Sequence, residues 1–133
     1  MGQPAAKKGD QVTATDIHIV MVPAPPAPPV PTPLPHPFVG IIQGALSSDV
    51  NIMGLPAATV DSTADNPPVH IPTPPGVSFQ KPPSNKATIK IGSTTVKFNG
   101  KAAARNGDTA ETCNDPTDLP SGTVVATGTV LIG

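Results

Sequence analysis

Apolar and polar residues alternate at period two in several short phrases of this chain. Val50 and Ile52 flank Asn51, and Val96 and Phe98 flank Lys97. Each phrase runs into a glycine, Gly54 or Gly100, and then into an alanine pair. Alternation that ends on glycine predicts a strand followed by a turn. A third phrase, TVLIG (129–133), has the same alternation at Val130 and Ile132, but the chain stops there. Conversely, PAAKKGD (4–10) carries an alanine pair with no strand before it.

Joining the two ends completes the pattern. Val130 aligns with Val50 and Val96, and Ile132 with Ile52 and Phe98. Gly2 aligns with Gly54 and Gly100, and Pro4-Ala5-Ala6 with Pro56-Ala57-Ala58 and Ala102-Ala103-Ala104, with no gap once Met1 is set aside. The repeats PAAKKGD (4–10), LPAATVDS (55–62) and KAAARNGD (101–108) then belong to a mainly β fold of three pseudo-symmetric units. The expectation is one domain over residues 1–133, its third repeat split between residues 1–10 and 123–133, with Gly2 and Gly133 adjacent. Pairing the two ends removes a strand edge that would otherwise invite aggregation. Small side chains let strands approach where three units converge. Asp10, Asp61 and Asp108 read as turn residues that bond local amides.

The composition adds constraints. A chain of 133 residues holds one domain comfortably. A net charge of -1 gives no electrostatic case for nucleic acid or an anionic membrane surface. With three Phe and neither Tyr nor Trp, the core is thin and needs other support. One cysteine excludes an internal disulfide. The run IHIVMV (17–22) is too short to span a bilayer. No apolar stretch of signal-peptide length follows the first lysines, and Ala6 breaks the myristoylation pattern. Synthesis in the cytoplasm, without export by the general secretory route, is expected.

Proline is the outlier, at 20 residues. Residues 23–37, PAPPAPPVPTPLPHP, contain nine, and residues 67–83 contain seven. Neither tract can be helix or central strand. One reading is a polyproline II ligand, which would make the chain a disordered proline-rich adaptor for a polyproline-recognition domain. The other is a pair of stiff loops laid along the outside of the fold, which lose little entropy on ordering. The ordered reading is favoured because His36 ends the first tract and His70 lies inside the second.

The chain has four soft metal ligands: His18, His36, His70 and Cys113. His18, His70 and Cys113 each follow a repeat by a few residues, and His36 lies in the insert between the first two repeats. Three imidazoles and a thiolate make a complete tetrahedral set for zinc, with nitrogen at about 2.0–2.1 Å and sulfur at about 2.3 Å. The spacing is not that of a zinc finger. Singly, each histidine reads as a solvated loop residue and Cys113 as a small buried hydrophobe. Together, beside a thin core, they predict one ion that binds the folded form and supplies missing stability. Four protein ligands leave no open coordination position, so the ion is structural, whereas a zinc enzyme would need water or substrate on the metal. No nucleophile elbow or paired-carboxylate motif is present, and no catalysis is expected.

These phrases resemble the PAAR-repeat proteins. The matching stretches are Gly2 to Ala6, Gly54 to Ala58, GKAAARNGD (100–108), TDIH (15–18), PHPFVG (35–40) and GTVLIG (128–133), which together span nearly the whole chain. The resemblance implies a small β-cone with pseudo-threefold symmetry that caps the trimeric spike of a contractile injection machine, such as a type VI secretion system or a phage-tail-like particle. It implies a zinc ion held by His18, His36, His70 and Cys113. It also implies a bare, non-enzymatic, membrane-puncturing tip, one per spike trimer, assembled on the particle and delivered outside the cell or into a target. Effector cargo is a further partner it allows.

Overall fold

The computed structural model describes residues 2–133, which form thirteen strands and, among the described residues, no helix. In chain order they are β1 (Gln3–Pro4), β2 (Gln11–Ala24), β3 (Ala27–Gly44), β4 (Asn51–Ile52), β5 (Leu55–Pro56), β6 (Thr63–Asp65) and β7 (Ser78–Phe79). There follow β8 (Lys86–Ile89), β9 (Lys97–Phe98), β10 (Lys101–Ala102), β11 (Thr109–Thr112), β12 (Leu119–Val125) and β13 (Leu131–Ile132).

The main sheet is antiparallel and runs β2-β3-β6-β8-β11-β12, and β12 then pairs back onto β2. The sheet thus closes on itself, which removes the edges an open sheet would expose. Only β7 lies outside the circuit, paired with β2 at Val20↔Phe79 and Met21↔Ser78. Period-two alternation fills the interior: Val12, Asp16, His18 and Val20 of β2, and His36, Phe38 and Ile42 of β3, are all buried. Ile89, Val124 and a set of alanines complete a core in which Phe38 is the one buried phenylalanine.

Three two-stranded pairs lie outside this sheet: β4–β5, β9–β10 and β1–β13. In the first two the strands are joined by Met53-Gly54 and Asn99-Gly100, with φ of 52° and 83°, and 54° and 79°. Positive φ at both central residues is the signature of a two-residue type I′ hairpin. In the third pair Gln3 faces Ile132, as Leu55 faces Ile52 and Lys101 faces Phe98. The two chain ends therefore meet as the alignment of repeats predicts.

The alanine pairs knit the three units together. Ala6 N–H donates to Ala104 O at 2.9 Å, Ala104 N–H to Ala58 O at 3.0 Å, and Ala58 N–H to Ala6 O at 3.0 Å, closing a cycle of three bonds. All three side chains are fully buried. One residue earlier, Ala5, Ala57 and Ala103 donate to Val130, Val50 and Val96, each at 2.9 Å.

Two expectations are corrected. Asp10 and Asp108 do accept bonds from the amides of Lys7 and Arg105, at 3.0 and 2.7 Å, but in the middle repeat Ser62 Oγ takes that part, accepting from Thr59 N–H at 3.0 Å. Asp61 instead stands where Gly9 and Gly107 stand, with φ of 79° against their 92° and 90°. Aspartate tolerates this conformation better than most side chains. The first proline tract is also not an outer loop: residues 27–44 form strand β3, paired with β2 from Gln11↔Ile41 to Ala24↔Ala27. Prolines fit there because one side of β3 has no neighbouring strand until β6 joins at Ile41. That pairing also removes the ground for reading the tract as a free polyproline ligand. The second tract is irregular apart from β7, as an ordered loop should be.

Candidate metal centre

The inward face of β2 carries Asp16 and His18, two residues apart and so on the same side of the strand. His36 lies on β3 opposite Asp16. β11 ends at Thr112, and Cys113 follows it. His70 comes from the loop after β6 and is held by its own N–H, which donates to Asn85 Oδ1 at 2.7 Å.

Asp16, His18, His70 and Cys113 each offer one ligand atom, all within 4.8 Å of one another, and all four residues are buried. The closest approaches are His70 Nε2 to Asp16 Oδ2 at 3.0 Å, Cys113 Sγ to Asp16 Oδ2 at 3.3 Å, and Cys113 Sγ to His18 Nε2 at 3.6 Å. The second carboxylate oxygen of Asp16 accepts from Thr112 Oγ1 at 2.6 Å, which fixes its orientation. Phe79 covers the group, its ring 5.8 Å from that of His18 and 5.4 Å from that of His36. A small cavity of about 60 Å³, lined by residues that include His18, Ser84, Cys113 and Asp115, lies beside the thiol.

The structure brings His18, His70 and Cys113 together directly. His36 lies beside this group but is not one of its four donors, its ring 5.3 Å from that of His18 and 5.6 Å from that of His70, while the rings of His18 and His70 are 5.0 Å apart. Both nitrogens of His36 are engaged: Nδ1 with Leu34 O at 2.9 Å, and Nε2 as acceptor from Thr73 N–H at 3.1 Å. Asp16 was not singled out from the sequence. Its signal is the i, i+2 spacing in TDIH, which places it on the face of His18 once residues 15–18 are read as strand.

The electrostatics suit a cation. Burial lowers the pKa of His18, only partly opposed by the Asp115 carboxylate, and burial likewise lowers that of His36. Both rings are thereby kept neutral, with a lone pair to give. Burial, and then the Asp16 carboxylate, push the Cys113 thiol up to about 11. Nδ1 of His18 is buried with no hydrogen-bond partner, its nearest carboxylate being Asp115 Oδ2 at 3.6 Å. A carboxylate buried this deeply, though bonded to Thr112 Oγ1, His70 Nε2 and Cys113 Sγ, is a favourable neighbour for a cation. The imidazole, thiol and carboxylate donors fit a borderline-soft divalent ion.

In comparison with known families, the model of the PAAR motif matches residues 35–113, more than half of the chain. The matched span includes His36, His70 and Cys113. No curated protein matches the chain.

Proposed function

The chain belongs to the PAAR-motif family, and from that premise we propose that it is the rigid tip of a contractile injection machine's spike, stiffened by one structural zinc ion. The observation that carries this reading is the buried donor cluster inside a closed β fold, covered by Phe79.

In this reading His18, His70 and Cys113 would hold the ion, and His36 would complete the set once its Nε2 gives up the bond from Thr73 N–H. Nitrogen ligands at about 2.0–2.1 Å in a tetrahedron would space the imidazole centroids about 5 Å apart. The three spacings of 5.0, 5.3 and 5.6 Å support that placement. Asp16 then acts beside the ligands, accepting from Thr112 and orienting His70. Bound zinc supplies charge that stabilises the thiolate of Cys113. The ion would add a link between the paired strands β2 and β3, the loop after β6, which apart from β7 has no strand of its own, and the residue after β11.

The three short strand pairs form the docking face. Leu55, Lys101 and Gln3 occupy matching places in them. Three matching units on one chain would let a single tip meet three identical subunits of a trimeric spike. The expected setting is the end of an assembled particle, its tip meeting a target membrane transiently and carrying effector cargo where the system has any. The work is mechanical: a stiff point concentrates force on a small area.

The test is reconstitution with the trimeric spike protein. One chain and one zinc per trimer, by native mass spectrometry with metal analysis, is the expected result. A protein that binds no spike trimer, or binds as three copies, would refute the tip assignment.

A further inference from the structure

Residues 17–48 contain no Asp, Glu, Lys or Arg, so all charged side chains lie elsewhere. This run includes the far ends of β2 and β3, paired as far as Val22↔Val30 and Ala24↔Ala27. Support from β7 ends at Met21↔Ser78. Residues 22–31 therefore project beyond it, by about 10 Å at about 3.3 Å per residue.

The edges of this hairpin are unusual. Odd-numbered residues of both strands direct their backbone groups outward. On β2, Ile17 and Ile19 N–H donate to Asn114 Oδ1 at 2.7 Å and Asp115 Oδ2 at 2.9 Å. On β3, Val39 N–H donates to Asn66 Oδ1 at 3.0 Å. The odd positions before it, 29, 31, 33, 35 and 37, are all proline. Between residues 23 and 31 six of nine residues are proline, and the other three, Ala24, Ala27 and Val30, are paired across the hairpin. The hydroxyl of Thr32 donates internally to Val30 O at 3.2 Å. The outer edge of the hairpin thus has no free N–H to satisfy.

Missing donors alone would guard against strand addition in water, but proteins usually guard such edges with charge, above all lysine. Here both donors and charge are absent. That combination suits the interfacial zone of a bilayer, where an unpaired N–H or a charge is costly while the outward carbonyls can still meet water and headgroups. We propose that residues 22–31 insert as a shallow wedge into a phospholipid bilayer. The proposal rests on the tip reading and deepens it by naming the residues that meet the membrane. A reach of about 10 Å places the wedge at the boundary between headgroups and acyl chains. With no charge in the wedge, insertion needs no anionic lipid and does not weaken with salt.

The chain has no Trp or Tyr, so Val30→Trp installs a single reporter at a side chain that is 49% exposed. Mixed with phosphatidylcholine vesicles, this protein should show a blue-shifted emission, quenched by lipids brominated near the headgroup end of the chains, equally at low and high salt. Leu131→Trp, in the separate β1–β13 pair, should show neither effect. The variant Val30→Lys, at that exposed position, should bind vesicles at least about tenfold more weakly with an unchanged melting temperature. Emission from Trp at 30 that lipid leaves unchanged, in a protein that still caps its spike trimer, overturns the wedge and spares the tip reading. Insertion by a protein that caps no trimer supports the wedge and removes the tip reading.

Discussion

Replacing Cys113 by Ser, with and without zinc, separates a ligand from a core residue. In the metal-free protein the thiol is 3% exposed and serves as a weak donor to Asp16 Oδ2 at 3.3 Å. Serine keeps a donor there and loses some volume, at a cost of about 1 kcal/mol. In the zinc-loaded protein a free metal concentration of about a thousand times Kd adds about 4 kcal/mol to the native state. The variant forfeits most of that gain. For a chain of this size about 1 kcal/mol corresponds to roughly 3–5 °C in melting temperature. Chelation should therefore lower the melting temperature of the natural protein by about 12–20 °C, and that of Cys113→Ser by only a few degrees. Differential scanning calorimetry, with metal analysis of each sample, measures both differences. The reasoning fails if Cys113→Ser costs the same with and without zinc, or if verified removal of the metal leaves the natural protein's transition in place.

Three further outcomes are expected. His36→Gln should weaken zinc binding more than Asp16→Asn, as read by competition with a chromophoric chelator; the reverse order would make Asp16 the fourth ligand. Metal-free protein should lose stability in mild acid: burial lowers the folded pKa of His18 and His36, so the unfolded chain takes up protons first. Stability is then full above about pH 6.5 and falls as pH drops from there through the lowered folded values; urea midpoints that stay flat from about pH 7 to pH 5 would contradict this. Ala58→Val adds two methyl groups to a fully buried side chain in the cycle of backbone bonds and should cost about 1–3 kcal/mol in urea unfolding. An unchanged midpoint there would show that the alanine cycle has room to spare.

Much of the fold was legible because strand periodicity and turn chemistry are local signals. Val50-Asn51-Ile52 and Val96-Lys97-Phe98 could be read as strands from alternation alone, and their glycines marked the turns. The meeting of Gln3 with Ile132 was legible for a different reason: an incomplete repeat at each end has one economical completion. The closed sheet was not visible, because β6, β8 and β11 are three or four residues long and their partners are distant in sequence. β3 was misjudged because proline content was weighed without its parity. Prolines at 29, 31, 33, 35 and 37 fall on one edge of an extended strand, and that edge is free. The site divided in the same way. His18, His70 and Cys113 could be grouped by their distance from the repeats. Asp16 could not, because an aspartate in a threonine-rich phrase reads as a turn residue until the strand is known to run through it.

The order of side chains along the fold explains why such a chain would use a metal at all. Where the three repeats exchange backbone bonds, the interior is Ala6, Ala58 and Ala104, the smallest side chains that still exclude water. Next come Val12, Ile42, Ile89 and Val124, with Phe38 the largest apolar side chain buried. Beyond Phe38 the inward strand positions carry Asp16, His18 and His36, joined there by His70 from its loop and by Cys113 after β11. Replacing these polar residues with apolar ones would bury more apolar surface, but dispersion and hydrophobic burial are non-directional and resist shear weakly. Metal–ligand bonds have fixed lengths and angles, so they hold four segments against one another in one geometry. A protein selected only to stay folded would gain more from leucine at those positions. One selected to keep its shape under a directed load, as the proposed tip would be, gains more from a metal.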